Sequence, residues 1–491
     1  MAIPRVDGRV VSIVAALVAV AFITFARSST TVLIVLAVAI LAVAAYGAHR
    51  WPLQTLVAAT IATLADLQIL PRLLPEGVSP EPIGASEPML AVVGLVITVD
   101  ALRRRAFVDA LRDPVLPLTV LFVVLAVVSA VVNATPPVVA LLGIVMTVDA
   151  VAIFFVARMV PVDERAVGAA IAAAVGAAAA ASAFGIAQIV VDPHLFGFFS
   201  FEGEFGEGWR ITSFLGNPNM VAAVLGLMLP YALYGSLHLE TGRWRWAARV
   251  VLVVMVWALL LTFSRGAWLG VGLGVLIGAV LVDWRSLLVL VAALAIAWGA
   301  MTVMPRYLVS DGQDGEGRPS PPPSVIDTSA DRFGNLRDET DTRARFVREG
   351  LPIVMDNLAL GVGPGRYGGA AATIIESPVY DEYGTSTLGF RTVHNFWLHL
   401  LGESGVAGTA VFLTMLAGLL IRFVREAHRA TGLRFVIVAG AATMLLVAGF
   451  HSLAEMIFEG NMPVLLVWMV FGLASMLAPM TPLFGGRRAG I

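Results

Sequence analysis

His394 and Asn395 stand together where a long polar stretch gives way to an apolar run, and Gly405-Val406-Ala407-Gly408 follows nine residues later. An imidazole titrates near neutral pH, so a His at a membrane edge is suited to move a proton or to donate to an anion. A simpler use of the same residues is structural. Asn395 then caps a helix, and the two glycines let it approach a neighbour closely. Two arginines also lie against apolar runs: Arg265 in Phe263-Ser264-Arg265-Gly266, and Arg210 ahead of Gly216-Asn217-Pro218-Asn219. A charge so near hydrocarbon is costly; it faces protein, water or an anion, or it snorkels. Asn217 before Pro218 opens a helix, and an anion at that N-terminus meets both the helix dipole and Arg210. The alternative for Arg210 is an ion pair with Glu202, Glu204 or Glu207.

Gly363, Gly365 and Gly368 spell G-x-G-x-x-G with no strand ahead of them, which argues against a dinucleotide fold. A tight turn whose N–H groups meet a phosphate remains open. Apolar segments also hold Asp66, Asp100, Asp149 and Glu403, and the cluster His451, Glu455 and Glu459. Asp100 and Asp149 fall near helix ends. His451 and Glu455 lie one helical turn apart and either bind a substrate or join two helices. Their spacing makes no metal set and there is no H-E-x-x-H, so neither a metal nor another cofactor is expected.

These residues must be positioned by membrane helices. Hydrophobic residues make up 58% of the 491 and charged residues 13%, about half the charge of a soluble domain. Apolar segments of roughly 16–25 residues recur about 14 times, from 10–26 to 462–479, each long enough to cross a bilayer. The first, behind Arg5 and Arg9, lacks a small-residue cleavage site and reads as a retained span. The chain has no Cys, which removes disulfides, thiolate metal sites and a Cys nucleophile. It also has no Lys, so all 32 cationic side chains are Arg, planar forks suited to phosphate oxygens. A net charge of −2 argues against a nucleic-acid partner.

Arg crowds alternate loops, as at Arg103, Arg104, Arg105, Arg243, Arg245, Arg422, Arg425 and Arg429. The opposite short loops carry only Arg27, Arg72, Arg210 and Arg265. The positive-inside rule then puts both termini in the cytoplasm and the site residues on the outer face. Two outside segments stand out: 192–217, rich in Phe and Glu, and 304–393, far longer than an ordinary helix connection. Within the latter, 310–324 is a Pro/Gly-rich linker and 340–357 has helical periodicity. The expected class is an all-α polytopic integral membrane protein of about 14 transmembrane helices, with one long extracytoplasmic loop. Its parts are N-terminal helices over 1–303, the large loop over 304–393 and C-terminal helices over 394–491. No fixed-period repeat is present.

From Arg210 to Met480 the motifs, taken in order, resemble the O-antigen ligase family, which includes O-antigen polymerases and bacterial O-oligosaccharyltransferases. The resemblance rests on Arg210 with Gly216-Asn217-Pro218-Asn219, then Ser264-Arg265-Gly266, Arg343, Gly361 to Gly365, His394-Asn395, Gly405 and Gly408. The Pro-rich insert and the number of spans depart from the family pattern. The resemblance implies a GT-C-like fold and a metal-independent glycosyltransferase in the bacterial inner membrane. Its donor is a glycan on a polyprenyl diphosphate, and its acceptor hydroxyl lies on a lipid core or another glycan. Arg210 and Arg265 are then the diphosphate clamp, with Arg343, Asn395, Gly363 and Gly365 as further binding residues. A diphosphate leaving group needs fixed positive charge, which Arg supplies in a dry site. His394 is the general base or a donor to the diphosphate. Three other readings stay open: a polymerase joining lipid-linked repeats, a transporter of the lipid-linked sugar and a scaffold without an active site. The transporter would carry repeated halves and broken midplane helices.

Overall fold

The computed structural model describes residues 30–64, 86–191, 210–303, 342–369, 371, 375–377, 379–384, 393–459 and 462–478. Within them the chain is helical, with no strand. The helices are α1 (Thr30–Arg50), α2 (Pro52–Thr63), α3 (Ser86–Arg103), α4 (Ala106–Leu111), α5 (Val115–Val132), α6 (Pro137–Met159), α7 (Glu164–Val190) and α8 (Pro218–His238). There follow α9 (Gly242–Leu261), α10 (Arg265–Leu281), α11 (Arg285–Val303), α12 (Thr342–Asp356), α13 (Val379–Glu382), α14 (Phe396–Ala427), α15 (Gly432–His451) and α16 (Met462–Leu477).

Seven of these helices are long and apolar enough to cross a membrane: α5 to α9, α14 and α15. Parts of α1, α2, α10, α11 and α16 form shorter apolar helices. The chain is therefore an all-α polytopic membrane protein. The segment expected to be the first span, 10–26, lies outside the described residues, as does the linker 310–324.

Two populations of helix organise the bundle. α8 is central, with every residue from Val221 to Ser236 buried. Asn217 opens it by accepting from Asn219 N at 2.8 Å, and Pro218 occupies the first turn, as the sequence leads one to expect. By contrast α5 and α11 expose Val124, Val131, Val132, Leu288 and Val291, the side that lipid covers. Lipid tails are as apolar as Leu, so burial alone does not select partners here; small residues do. α10 and α15 meet along Gly270, Gly274 and Gly278. A methyl group at Gly270 would stand 2.6 Å from His451 Cα, and one at Gly274 2.6 Å from Val447 Cα. Gly278 abuts Thr443 in the same way. The two helices therefore run antiparallel in four-residue steps.

α14 is not one continuous helix. It extends over 32 residues and is broken at Gly405, whose φ of 62° and ψ of −168° lie outside the helical region. The break admits another part of the chain, and that part shapes the site.

Candidate functional site

α14 begins at His394-Asn395. Asn395 caps it by accepting from Leu398 N at 3.1 Å, so the capping role is real. His394 precedes the cap with φ 51°, a left-handed conformation that turns the chain sharply into the helix. Its Nδ1 lies 3.4 Å from Glu455 Oε2, and its side chain is 42% exposed against 12% for Glu455. The turn is fixed by backbone on both sides. Val393 N donates to Gly368 O at 2.8 Å, and Phe396 N donates to Ser452 O at 2.9 Å. Trp397 Nε1 also donates to Gly449 O at 2.8 Å.

Arg210 lies against the turn between α9 and α10. Its Nε donates to Thr262 O at 2.7 Å, and its Nη2 donates to Asn219 Oδ1 at 2.8 Å. Ile211 N bonds Leu261 O beside it. Three residues beyond Thr262, Arg265 is the first residue of α10. The α10–α15 register pairs 278 with 443, 274 with 447 and 270 with 451. One further step sets Gly266 level with Glu455, and Glu455 N still bonds His451 O in helical fashion at 3.1 Å. Arg210, Arg265, Glu455 and His394 therefore occupy the same end of the bundle. Glu202, Glu204 and Glu207, the alternative partners of Arg210, lie outside the described residues. Arg343 falls in the first turn of α12, and its side chain is not among those described.

The glycine-rich segment fills the break in α14. Val406 N donates to Leu358 O at 2.8 Å and Ala407 N to Ala359 O at 3.3 Å. On the other side of the break, Val362 N donates to Gly402 O at 2.8 Å and Gly363 N to Glu403 O at 3.2 Å. The groups that a broken helix would leave bare are thus taken up by the inserted chain, the condition for irregular backbone at membrane depth. α5 holds the insert from a third side: Ser129 Oγ donates to Leu360 O at 2.6 Å and Asn133 Nδ2 to Gly361 O at 3.0 Å. Gly363 has φ 102° and Gly365 φ 76°. A methyl at 365 would stand 2.5 Å from Val139 O of α6. The amides of Val362, Gly363 and Tyr367 point at α14, so the turn spends them on protein groups.

Beneath His394 lies a polar network that the sequence shows only in part. His399 Nδ1 is 2.8 Å from Tyr367 O, and His399 Nε2 is 2.5 Å from Glu459 Oε2. Tyr367 N donates to Glu403 Oε1 at 3.1 Å, and Thr147 Oγ1 donates to Glu459 Oε2 at 3.3 Å. His399, Glu403 and Glu459 are all buried. Glu403 and Glu459 stand out in the sequence as acids in apolar segments; His399 does not. Its signal is the four-residue step to Glu403, which puts both on one helix face. Burial pushes the phenols of Tyr367 and Tyr380 well above their ordinary range, so both stay protonated.

The opposite end of the bundle carries a second buried cluster. Asp113 Oδ2 lies 2.7 Å from Arg422 Nη1 and 3.2 Å from Arg158 Nη1. Arg422 also donates to the carbonyls of Ser475 and Ala478 at the end of α16. Asp100 pairs with His49 at 2.8 Å at a helix end, as expected for an interfacial acid. Asp66 lies outside the described residues. Among the described residues, no group of three or more His, Asp or Glu is arranged to hold a metal ion.

Residues 250–413 match the sequence model of a family described as O-antigen ligase. That segment includes Arg265, Arg343, Gly363, Gly365, His394, Asn395, Gly405 and Gly408, and excludes Arg210 and Glu455. No curated protein matches the chain.

Proposed function

We propose, for a chain whose residues 250–413 match the O-antigen ligase family model, a specific form of the glycosyl transfer that this family implies. The donor is a glycan on a polyprenyl diphosphate. The acceptor is a hydroxyl of a lipid core or of another glycan. The reaction takes place on the outer face of the bacterial inner membrane, with both chain termini in the cytoplasm. One observation carries this reading: Arg210, Arg265 and the His394–Glu455 pair sit at one end of the bundle, although 245 residues (455 − 210) separate the first from the last in sequence.

The chemistry follows from those groups. With Nδ1 turned toward Glu455, the tautomer that donates from Nδ1 keeps Nε2 as the ring's proton acceptor. The acceptor oxygen attacks the anomeric carbon of the donor and its proton passes to Nε2. The bond from that carbon to the diphosphate oxygen breaks, and polyprenyl diphosphate departs with the electron pair. Negative charge grows on that oxygen, and Arg210 and Arg265 are the fixed cations that meet it. Both guanidiniums are anchored or helix-borne, so little reorganisation is needed as charge develops. Arg343 and the Asn395 turn are the further binding residues of this reading, while Gly363 and Gly365 pack against α14 and α6 and act through the fold.

The test is transfer by protein purified in lipid nanodiscs, with polyprenyl-diphosphate glycan as donor and either a lipid-core or a glycan acceptor. His394→Ala should lower the transfer rate ~10²–10⁴-fold, the usual share of a general base, with donor affinity nearly kept. Arg265→Lys should weaken both donor binding and turnover, because an ammonium lacks the bidentate fork. A His394→Ala enzyme that transfers glycan at the parental rate overturns the assignment.

A further inference from the structure

His394 is held by two segments that are remote in sequence. One is the glycine-rich segment, through Gly368 O and Val393 N; the other is the loop 452–459, through Glu455 and through Ser452 O. Neither segment touches only His394. Both return to α14 one and a half turns deeper, and there they meet the same side chain. His399 Nδ1 faces Tyr367 O of the first segment, and its Nε2 faces Glu459 of the second. A carbonyl oxygen only accepts, so Nδ1 carries a proton. On its other side, Nε2 lies 2.5 Å from Glu459 Oε2, so the ring stands between a carbonyl and a carboxylate. Glu403, one turn on, takes Tyr367 N, so both the N–H and the C=O of Tyr367 are clipped to α14. Phe458 fills the space between the two ties, with its ring 5.5 Å from that of Phe396 and 6.1 Å from that of Trp397.

We infer that His399, with Glu459 and Glu403, is a positioning network for His394. This rests on the reading of His394 as the proton acceptor. His399 touches no reacting atom. It sets where the loop 452–459 lies against α14, and with it the place of the Glu455 carboxylate that orients the His394 ring. Through Tyr367 it also sets the place of Gly368, whose carbonyl fixes the backbone at Val393. A buried tie centred on an imidazole is suited to hold such a geometry, because both ring nitrogens have fixed directions and membrane depth offers no water to replace either bond. A polar cluster at this depth is expensive, and packing alone would be served by apolar side chains.

The experiment compares Glu459→Gln and His399→Gln in purified enzyme, alone and combined with Glu455→Gln. Turnover is read with saturating donor and acceptor, and donor affinity is read separately by binding without acceptor. Orienting partners of this kind are worth about 10–100-fold. Turnover should therefore fall by roughly that factor in Glu459→Gln, with donor affinity within about threefold of the parent. Because Glu459 and Glu455 act through the same ring, the double variant Glu459→Gln/Glu455→Gln should lose little more than the worse single one. If Glu459→Gln does not accumulate as folded protein, Thr147→Val takes its place. That change removes only one hydroxyl bonded to Glu459, and it should lower turnover severalfold by the same route.

A purely structural role would lower melting temperature and reduce turnover and donor binding together. That result overturns the proposal, as does a folded Glu459→Gln enzyme with parental turnover while His394→Ala is inactive. Fully multiplicative losses with Glu455→Gln also overturn it. A His394→Ala enzyme at the parental rate would instead show that the underlying reading of His394 has failed.

Discussion

Gly405→Ala asks whether the break in α14 is required by the fold. Gly405 adopts φ 62° and ψ −168°, a region open essentially to glycine, and an L residue held there costs about 1–3 kcal/mol. A methyl group at this position would stand 2.5 Å from Ala359 C and 2.5 Å from Leu360 N. Those are backbone atoms, so no rotamer change relieves the contact. The inserted chain must withdraw, and the bonds from Val406 N to Leu358 O and from Ala407 N to Ala359 O go with it. Each is worth about 1 kcal/mol net, so the whole change amounts to about 3–5 kcal/mol. Gly418→Ala is the control on the same helix, since a methyl there meets nothing within 4 Å. It should be neutral or mildly stabilising, because Ala favours helix over Gly by about 1 kcal/mol. The assay is thermal unfolding of both variants in one detergent, followed by tryptophan fluorescence. A chain of this length shifts less than the ~2–4 °C per kcal/mol of a mid-sized domain, so Gly405→Ala should melt on the order of 5 °C below the parent. The variant should also lose glycan transfer, because the displaced segment carries Gly368, the anchor of Val393. If Gly405→Ala melts within about 1 °C of Gly418→Ala, the inserted segment is not held by the break and the reasoning fails.

Two further outcomes follow from charge. Asp113→Asn keeps the shape of the side chain but leaves Arg158 and Arg422 facing each other in the buried cluster, at a cost of about 3–5 kcal/mol. A marked fall in melting temperature is expected, against almost none for Asp109→Asn in the exposed Arg112 pair; equal melting of the two would refute it. Orientation can be read with single Cys substitutions in this Cys-free chain. In intact spheroplasts an impermeant thiol reagent should label Asp381→Cys and spare Arg429→Cys, and the reverse pattern would invert the topology.

The membrane class was legible in composition, because a chain with 13% charged residues and repeated long apolar runs has no other way to satisfy its backbone. Local signals were equally plain. Asn217 and Asn395 cap the helices they precede, since a cap depends on neighbours two or three residues away. The helical reading of 340–357 came close to α12, for the same local reason. Arg210, Arg265 and His394 could be picked out as costly residues beside apolar runs. Nothing local says that Arg210 ties to Thr262, or that the α10 glycines step along α15 until Gly266, next to Arg265, stands level with Glu455. Those facts depend on which helices adjoin.

The glycine-rich segment shows the limit most clearly. Its sequence announces a tight turn, yet the same glycines serve a phosphate or a broken helix equally well. Only the packing of α5, α6 and α14 around it directs its amides to α14 carbonyls and to Glu403. His399 was silent for a related reason. A His on an apolar helix reads like any core residue until Tyr367 and Glu459, 32 and 60 residues away along the chain (399 − 367 and 459 − 399), are brought against its two nitrogens. Sequence sets what each segment must avoid, bare backbone and lone charge in lipid. Tertiary structure decides which distant group relieves it, because hydrogen bonds and ion pairs act over a few ångströms of space without regard to separation along the chain.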